Sequence, residues 1–318
     1  MKIVVLDGYT LARDDIAWTE LERLGDVVVW PRSAASEVAE RSAEADILLT
    51  NKTPVTAELI QRCPRLQFIS VLATGYNIVD ISAARARGIP VSNVPAYGTD
   101  TVAQHVFALI LELTNHVGEY ARSTQAGAWS RSLDWTYSTS PTHDLAGLTL
   151  GVLGFGRIGQ RVGRIGDAFG MRVLYSSPRL CSSLAYPADF VSREQLFEQA
   201  DFLSLHCALT SDSADFVNRD LLDRLKPSAF LINTARGQLV HEPDLTDALC
   251  RGTLAGAALD VLSIEPPPAD HPLLNLPNCL VTPHIAWGSL AARRRILDAT
   301  IENVKAFQAR KPINVVNP

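Results

Sequence analysis

Residues 148–170 read LTLGVLGFGRIGQRVGRIGDAFG, and the architecture of the chain follows from them. An apolar run reaches Leu153 and breaks into Gly154-Phe155-Gly156-Arg157-Ile158-Gly159, after which an amphipathic stretch begins at once. Strand, glycine turn and helix in that order open a dinucleotide-binding βαβ unit. Gly154 permits the tight turn, Gly156 lets the backbone approach a pyrophosphate, and Gly159 lets the helix pack closely on the strand. The helix start at Arg157 and Ile158 supplies unpaired N–H groups and the positive end of a helix dipole to the phosphates. A GxGxxG alone is a weak signal, and a glycine-rich turn without a ligand is the alternative; the strand before and the helix after weigh against it.

The same alternation extends both ways. Upstream, IVVLD (3–7), VVVW (27–30), DILLT (46–50), LQFISVL (66–72) and IPVSN (89–93) read as strands, with helical stretches near 11–24, 34–44, 56–62 and 80–87. Thr56 and Asp80 each offer a side-chain oxygen just before an apolar-periodic stretch and are expected N-caps. From Thr99 a long helix, TDTVAQHVFALILELTNHV, is apolar around so much of its circumference that burial between two domains is expected, with Thr99 or Asp100 as its cap. Residues 121–147 read as an irregular connection rich in Ser, Thr and Trp. Downstream, RVLYS, DFLSLHC, AFLINTA, AGAALDV and CLVTPH continue the strands, and 289–309 reads as a last helix whose packing partner the periodicity leaves open. The tail PINVVNP reads as an edge strand or a surface cover. Strands alternating with helices mean parallel sheets, so the class is α/β.

Composition bounds the function. At 318 residues the chain has room for two domains, and 47% hydrophobic with 20% charged residues is ordinary for a globular protein. A net charge of −5 offers no footprint for nucleic acid or an anionic membrane surface, so a small-molecule ligand is expected. The five cysteines are scattered and never spaced as CxxC, which predicts neither a disulfide framework nor a zinc site and fits a reducing cytoplasm. The opening MKIVVLDG reads as a strand rather than a leader, and no apolar run approaches the ~20 residues a membrane span needs.

Residues 173–180, VLYSSPRL, carry the cofactor question. The fold presents an acid to the adenosine ribose about 20 residues beyond the glycine loop. Here the chain offers Ser176, Ser177 and then Arg179. An acid would bond the 2′-hydroxyl of NAD and repel a 2′-phosphate; serine removes the repulsion and Arg179 attracts a phosphate dianion. NADP(H) is therefore favoured, with NAD(H) open, since Asp189 or another acid is able to approach the ribose from elsewhere.

Three further segments fall just after strand ends, where open α/β sheets bind ligands: Asn233-Thr234-Ala235-Arg236-Gly237, Asp260 through Glu265, and Thr282-Pro283-His284-Ile285-Ala286-Trp287. They offer one guanidinium, carboxylates and one imidazole. Hydride transfer to a 2-oxo acid needs these types: a planar cation for the carboxylate, a proton donor for the carbonyl oxygen, and an anion that favours the imidazolium. Singly, each has a structural explanation, as a surface ion pair, a loop acid and a core histidine.

GFGRIG, NTARG, the pair Asp260 and Glu265, and TPHIAW, in this order and spacing, resemble the D-isomer-specific 2-hydroxyacid dehydrogenase family along essentially the whole chain. Within it, NKTPV, VPAYGTDTVAQHVFALILELTN and AGAWSRSLDW are most similar to its glycerate dehydrogenase, or hydroxypyruvate reductase, branch. The resemblance implies two doubly wound parallel-sheet domains: a flavodoxin-like substrate domain from 1–98 with 288–318, and a Rossmann NAD(P)-binding domain over 99–287. It also implies an active site in a cleft between them that closes by hinge motion, and a homodimer whose segment near 119–147 embraces the partner, with Trp129 and Trp135 at the interface or Trp135 reaching the partner's pocket. The catalytic set it implies is Arg236 on the substrate carboxylate and carbonyl, His284 as acid/base and Glu265 orienting it. Ala73, Thr74, Gly75 and Tyr76 match the family's substrate loop. On our own reading of the residues, Trp287, Leu72 and Trp135 would wall a small pocket, which favours glyoxylate or hydroxypyruvate over bulky aryl acids. Asp260 would hold the nicotinamide carboxamide and Thr101 would touch the cofactor. His206, Cys207 and Thr210 would border the adenosine, and Thr234, Ala235 and Ala286 count with the cofactor contacts.

The implied reaction is reduction of hydroxypyruvate or glyoxylate by NAD(P)H. Ser177, where many members carry Asp, keeps NAD specificity from being carried over. A short-form phosphoglycerate dehydrogenase is a neighbouring reading, although the chain ends before the usual regulatory extension. Formate dehydrogenase would carry Gln in place of Glu265. A non-catalytic NAD(P)-sensing corepressor shares the motifs and differs in oxidising no cofactor.

Overall fold

The computed structural model describes residues 1–318, and the chain divides into two compact units, Met1–Gly98 with Gly288–Pro318, and Thr99–Trp287. The first begins β1 (Lys2–Val5), α1 (Thr19–Glu22), β2 (Asp26–Val29), α2 (Ala35–Ser42), β3 (Ile47–Thr50), α3 (Ala57–Arg62), β4 (Phe68–Val71), α4 (Ile81–Ala86) and β5 (Val91–Ser92). All pairings are parallel and the order is β2-β1-β3-β4-β5, the flavodoxin-like winding. Both β3 and β4 are buried throughout, which is why ILLT and FISV read as unbroken rather than alternating runs. Thr56 and Asp80 cap α3 and α4 by accepting from Leu59 N at 3.2 Å and Ala83 N at 2.9 Å. Asp7, just past β1, accepts the N–H groups of Asn51, Lys52 and Thr53 at 2.6–2.7 Å and so shapes the loop after β3.

The helix expected over 11–24 shrinks to α1. Asp14 takes a left-handed φ of 64°, which no helix continues through, and Asp15 is drawn to Arg293.

The second unit runs α5 (Thr99–Asn115), α6 (Val117–Gln125), β6 (Thr149–Leu153), α7 (Arg157–Ala168), β7 (Arg172–Ser176), β8 (Asp189–Phe190), α8 (Arg193–Gln199), β9 (Phe202–Leu205), α9 (Arg219–Leu222), β10 (Phe230–Asn233), α10 (Glu242–Arg251), β11 (Gly256–Leu259) and β12 (Cys279–Val281). Its parallel sheet has the order β12-β11-β10-β9-β6-β7-β8, the Rossmann winding with one added strand. The two doubly wound parallel-sheet domains expected from the sequence are thus the observed architecture. Apolar clusters cover both faces of this sheet, one under α8, α9 and α10 and one under α5 and α7. The apolar surplus of α5 is buried within this unit: Val102, Val106, Phe107 and Ile110 lie on its inner side, and Phe107 stacks on Phe169 at 5.3 Å. Thr99 and Asp100 are already inside α5 rather than ahead of it.

Part of the connection expected to be irregular is helical, since α6 runs to Gln125 and a 3-10 turn spans Trp129–Arg131. Beyond it Leu133 and Trp135 are almost fully exposed.

The chain then returns to the first unit as α11 (Leu290–Gln308), capped by Ser289, whose Oγ accepts from Ala292 N at 3.1 Å. Phe307 stacks on Phe68 of β4 at 4.6 Å. Arg293, buried, donates to Leu11 O at 2.9 Å and to Asp15 at 2.6 Å. That hydrogen-bonded guanidinium pushes the Asp15 carboxyl down to about 2. The tail lies along β5: Val316 N donates to Val91 O at 2.8 Å, and Val91 N donates to Asn317 Oδ1 at 2.7 Å.

Candidate active site

Three adjacent strands end level with one another, because Asn233 pairs with Leu259 and Leu259 with Val281. The segments that follow β10, β11 and β12 therefore emerge side by side. After β10, Asn233 pins the turn: its Oδ1 accepts from Ala235 N at 3.0 Å and its Nδ2 donates to Arg236 O at 2.8 Å. Arg236 is half-buried, and its guanidinium bonds only the carbonyl of Ala235, at 2.6 Å, with no carboxylate partner. Its planar fork is left for an external anion.

After β11, Asp260 is 1% exposed. Its Oδ1 accepts from Thr282 Oγ1 at 2.6 Å and Ile285 N at 2.9 Å, and its Oδ2 accepts from Ala286 N at 2.8 Å. His105 on α5 adds an edge to this knot, with Nε2 3.1 Å from Thr282 Oγ1. Burial raises the Asp260 carboxyl, but the bonds from His105, Thr282, Ala286 and Ile285 outweigh it and hold the group below its ordinary value. The carboxylate thus organises the turn after β12. His284 sits in that turn at φ 50°, an unfavourable conformation for a side-chain-bearing residue. Its own N–H is held by Asp260 O and Thr282 O, both at 2.9 Å. Strain of this kind persists only where the surroundings over-determine it.

The result is a directed imidazole. His284 Nδ1 lies 2.6 Å from Glu265 Oε2, while Glu265 Oε1 accepts from Leu262 N at 3.1 Å. The Nε2 of His284 bonds nothing in the chain, and the side chain is 26% exposed. A carboxylate on Nδ1 and a free, accessible Nε2 make a histidine able to give and take a proton at one defined atom.

Gly237 joins two of these loops. A Cβ there would fall 1.9 Å from Leu262 C and 2.2 Å from its carbonyl oxygen, so the Arg236 loop and the Glu265 loop are in backbone contact. Gly237, Asn233 and His105 are site residues that sequence reasoning does not single out; the first two lie in the NTARG run, whereas His105 reads only as part of a helix.

The phosphate loop fits a dinucleotide. Gly154, at φ 91°, lies against His206 and Cys207, where a Cβ would meet backbone at 2.5–2.7 Å. Around Gly156, at the start of α7, the space is open, as a pyrophosphate requires. Phe155 turns inward and stacks on Tyr175 at 3.9 Å, while Arg157 is exposed and Ile158 half-buried. Thr234 Oγ1, at the end of β10, is buried without a partner. Burial pushes His206 down to about 3, so a neutral imidazole, bonded at 2.8 Å to Ser204 Oγ, borders the loop. Thr210 is exposed in the turn beyond, and Thr101 lies in the first turn of α5.

Ser176 ends β7, its carbonyl accepting from Gly154 N at 2.9 Å; Ser177 follows half-buried, and Arg179 is exposed with no ion partner. Asp189 does not approach this end. It pairs beside Leu174 and bonds Arg172, at the opposite end of β7, at 3.4 Å. Ala286 uses its N–H on Asp260, and Trp287 is half-buried at the end of the unit.

In the other unit, the loop after β4 is braced by Val94 N donating to Ala73 O at 3.0 Å and by Thr74 Oγ1 donating to Val94 O at 2.8 Å. The N–H groups of Thr74, Gly75 and Tyr76 donate to nothing in the chain. They form an unpaired row of donors suited to a carboxylate.

Comparison with known proteins agrees with this geometry. Residues 107–286 match the family model for the D-isomer specific 2-hydroxyacid dehydrogenase, NAD binding domain. A hydroxypyruvate reductase of Blautia hydrogenotrophica is 42% identical over 100% of both chains. A glycerate dehydrogenase of Methylorubrum extorquens is 40% identical over 88% of each. The crystal structure of a D-lactate dehydrogenase from Aquifex aeolicus, complexed with NAD and lactic acid, superposes with a TM-score of 0.86 at 29% identity, covering 100% of this chain and 99% of that one. With its phosphate loop, its paired His284 and Glu265 and its unpaired Arg236, this chain belongs to the D-isomer-specific 2-hydroxyacid dehydrogenase family and carries that family's NAD(P)-binding domain.

Proposed function

We propose that this enzyme reduces a small 2-oxo acid, hydroxypyruvate or glyoxylate, to the D-2-hydroxy acid, with NADPH preferred over NADH. The observation that carries the reading is His284, whose Nδ1 is held 2.6 Å from Glu265 while Nε2 stays free. Bound NAD(P)H supplies hydride to the carbonyl carbon. His284 Nε2 gives its proton to the carbonyl oxygen, and Glu265, 2.6 Å from Nδ1, fixes the ring for that transfer. Arg236 binds the carboxylate, which orients the acid and stabilises developing charge. Asp260, under the His284 turn, is assigned to the nicotinamide carboxamide, and Trp287 to the pocket wall. The names of the hydroxypyruvate reductase and glycerate dehydrogenase relatives support the substrate class.

Initial rates with hydroxypyruvate, glyoxylate, pyruvate and phenylpyruvate, each with NADH and NADPH, test the proposal. The highest kcat/KM is expected for hydroxypyruvate or glyoxylate with NADPH. Binding of NADPH without oxidation by any of the four acids would instead mark a cofactor-sensing corepressor. For the 2′-phosphate, Arg179→Ala is expected to raise the NADPH KM about tenfold, the value of one charge-assisted contact, and Ser177→Asp to move preference toward NADH. An unchanged NADPH KM in the first variant would remove Arg179 from the site.

We also propose a homodimer formed through residues 119–147, supported by the exposed Trp129, Leu133 and Trp135, a cluster that water disfavours. Light scattering is expected to give twice the chain mass of 34.6 kDa; a monomer at micromolar concentration would count against it. No helix is long and apolar enough to cross a membrane, and the five free cysteines support a cytoplasmic setting.

A further inference from the structure

Ser263 stands two residues before Glu265 and is gripped from several sides within the second unit. Glu242, in the first turn of α10, accepts Ser263 N on Oε1 at 2.7 Å and Ser263 Oγ on Oε2 at 2.5 Å. Gln238 Nε2 donates to Ser263 O at 2.8 Å, and a Cβ on Gly237 would fall 2.3 Å from Ser263 N. The Glu242 side chain is only 14% exposed, and His271 Nε2, from an imidazole 11% exposed, lies 3.3 Å from its Oε2. A carboxylate withdrawn from water to this degree is costly unless its oxygens are bonded. Glu242 directs both of them at one loop residue.

We propose that Glu242 is a positioning residue for the acid/base pair, acting through Ser263 to hold Glu265 against His284 and to fix the Glu265 loop on the Arg236 loop. The inference rests on the function proposed above. Ile264, the one residue between Ser263 and Glu265, is 63% exposed and gives the segment little packing. The anchorage of Ser263 therefore sets where the Glu265 backbone begins. His284 and Glu265 meet at 2.6 Å, so a displacement of about 1 Å takes that bond out of range. The titratable groups bonded along this segment are Glu242 at Ser263, His271 beside Glu242, and Glu265 with His284 beyond it.

The test compares Glu242→Gln, which keeps an acceptor for Ser263 N and offers a donor to Ser263 Oγ, with Glu242→Ala, which keeps neither. Reductive kcat is expected to fall about tenfold in the alanine variant and to recover to within about threefold of wild type with glutamine, with the NADPH KM unchanged in both. A residue that only stabilises the fold would lower Tm without separating reductive kcat from the NADPH KM.

A second readout needs no turnover. In the full-length chain, amide hydrogen exchange at Leu262, whose N–H donates to Glu265 Oε1 at 3.1 Å, is expected to speed up about tenfold in Glu242→Ala and to stay within about threefold of wild type in Glu242→Gln. Reductive kcat and Leu262 exchange that coincide with wild type in Glu242→Ala would overturn the proposal, as would a glutamine variant no better than alanine. If the wild-type chain reduces no 2-oxo acid, the function above fails while the amide exchange still decides the clamp.

Discussion

His284→Ala is expected to lower reductive kcat by about 10³- to 10⁴-fold while leaving NADPH binding nearly intact. In the proposed function the proton that goes to the carbonyl oxygen comes from His284. The Nδ1 edge of the ring is committed to Glu265 at 2.6 Å, and the free Nε2 is the only edge that can face a substrate. Removing the ring removes the donor but none of the phosphate-loop residues, since Gly154, Gly156 and Arg157 lie after β6 and His284 lies after β12. The upper end of the range is expected because the turn is strained for this one purpose. His284 keeps its left-handed backbone through bonds to Asp260 and Thr282, and alanine would keep that backbone without the function. Stopped-flow rates with NADPH and hydroxypyruvate, beside a fluorescence titration with NADPH alone, check both halves. Loss of NADPH affinity together with kcat would move His284 from the proton-transfer role to the cofactor site.

Gly237→Ala is the second large effect, and it comes from a single methyl group. The added Cβ would lie 1.9 Å from the carbonyl carbon of Leu262, and backbone cannot yield as a side-chain tip can. The loop bearing Arg236 and the loop bearing Glu265 would be forced apart by about an ångström or more. Misplacement of that order costs about 10²-fold in the rate of a positioned reaction, so kcat/KM for the 2-oxo acid is expected to fall at least that far. The fold should survive, because Gly237 lies in a 3-10 turn after β10 and not in the sheet. Circular dichroism near wild type, a Tm lowered by the buried clash and a collapsed kcat/KM would be the confirming pattern. A variant with normal kcat/KM would show that the two loops need not touch.

Much of this molecule is legible in its amino-acid order. The α/β class, the phosphate loop and most strands follow from apolar runs and glycine spacing, because β-strand burial and tight turns leave local compositional marks. Thr56 and Asp80 are readable as caps for the same reason: a cap is a contact within four residues. Helix 11–24 is overstated by its periodicity, because nothing local announces that Asp14 turns left-handed and that Asp15 answers to Arg293 almost the whole chain away. The edge strand β8, two residues long, escapes such a reading because it is too short to carry a period. Asp189, a candidate ribose acid by its position in the sequence, is removed from that role by its pairing with Arg172.

For the site, the residue order dictates which chemical groups are present and that they follow strand ends: Arg236 after β10, Glu265 after β11 and His284 after β12. Which atoms face which is set by the folded chain alone. That Glu265 meets Nδ1 and leaves Nε2 free, that Asp260 serves the His284 turn with three hydrogen bonds, and that Gly237 lets two loops touch all depend on strands pairing in register. The physical reason is range. Propensity, capping and turn preference act over a few residues and leave their signature in the residues themselves, whereas the bonds that aim a catalytic side chain join residues brought together only by the sheet.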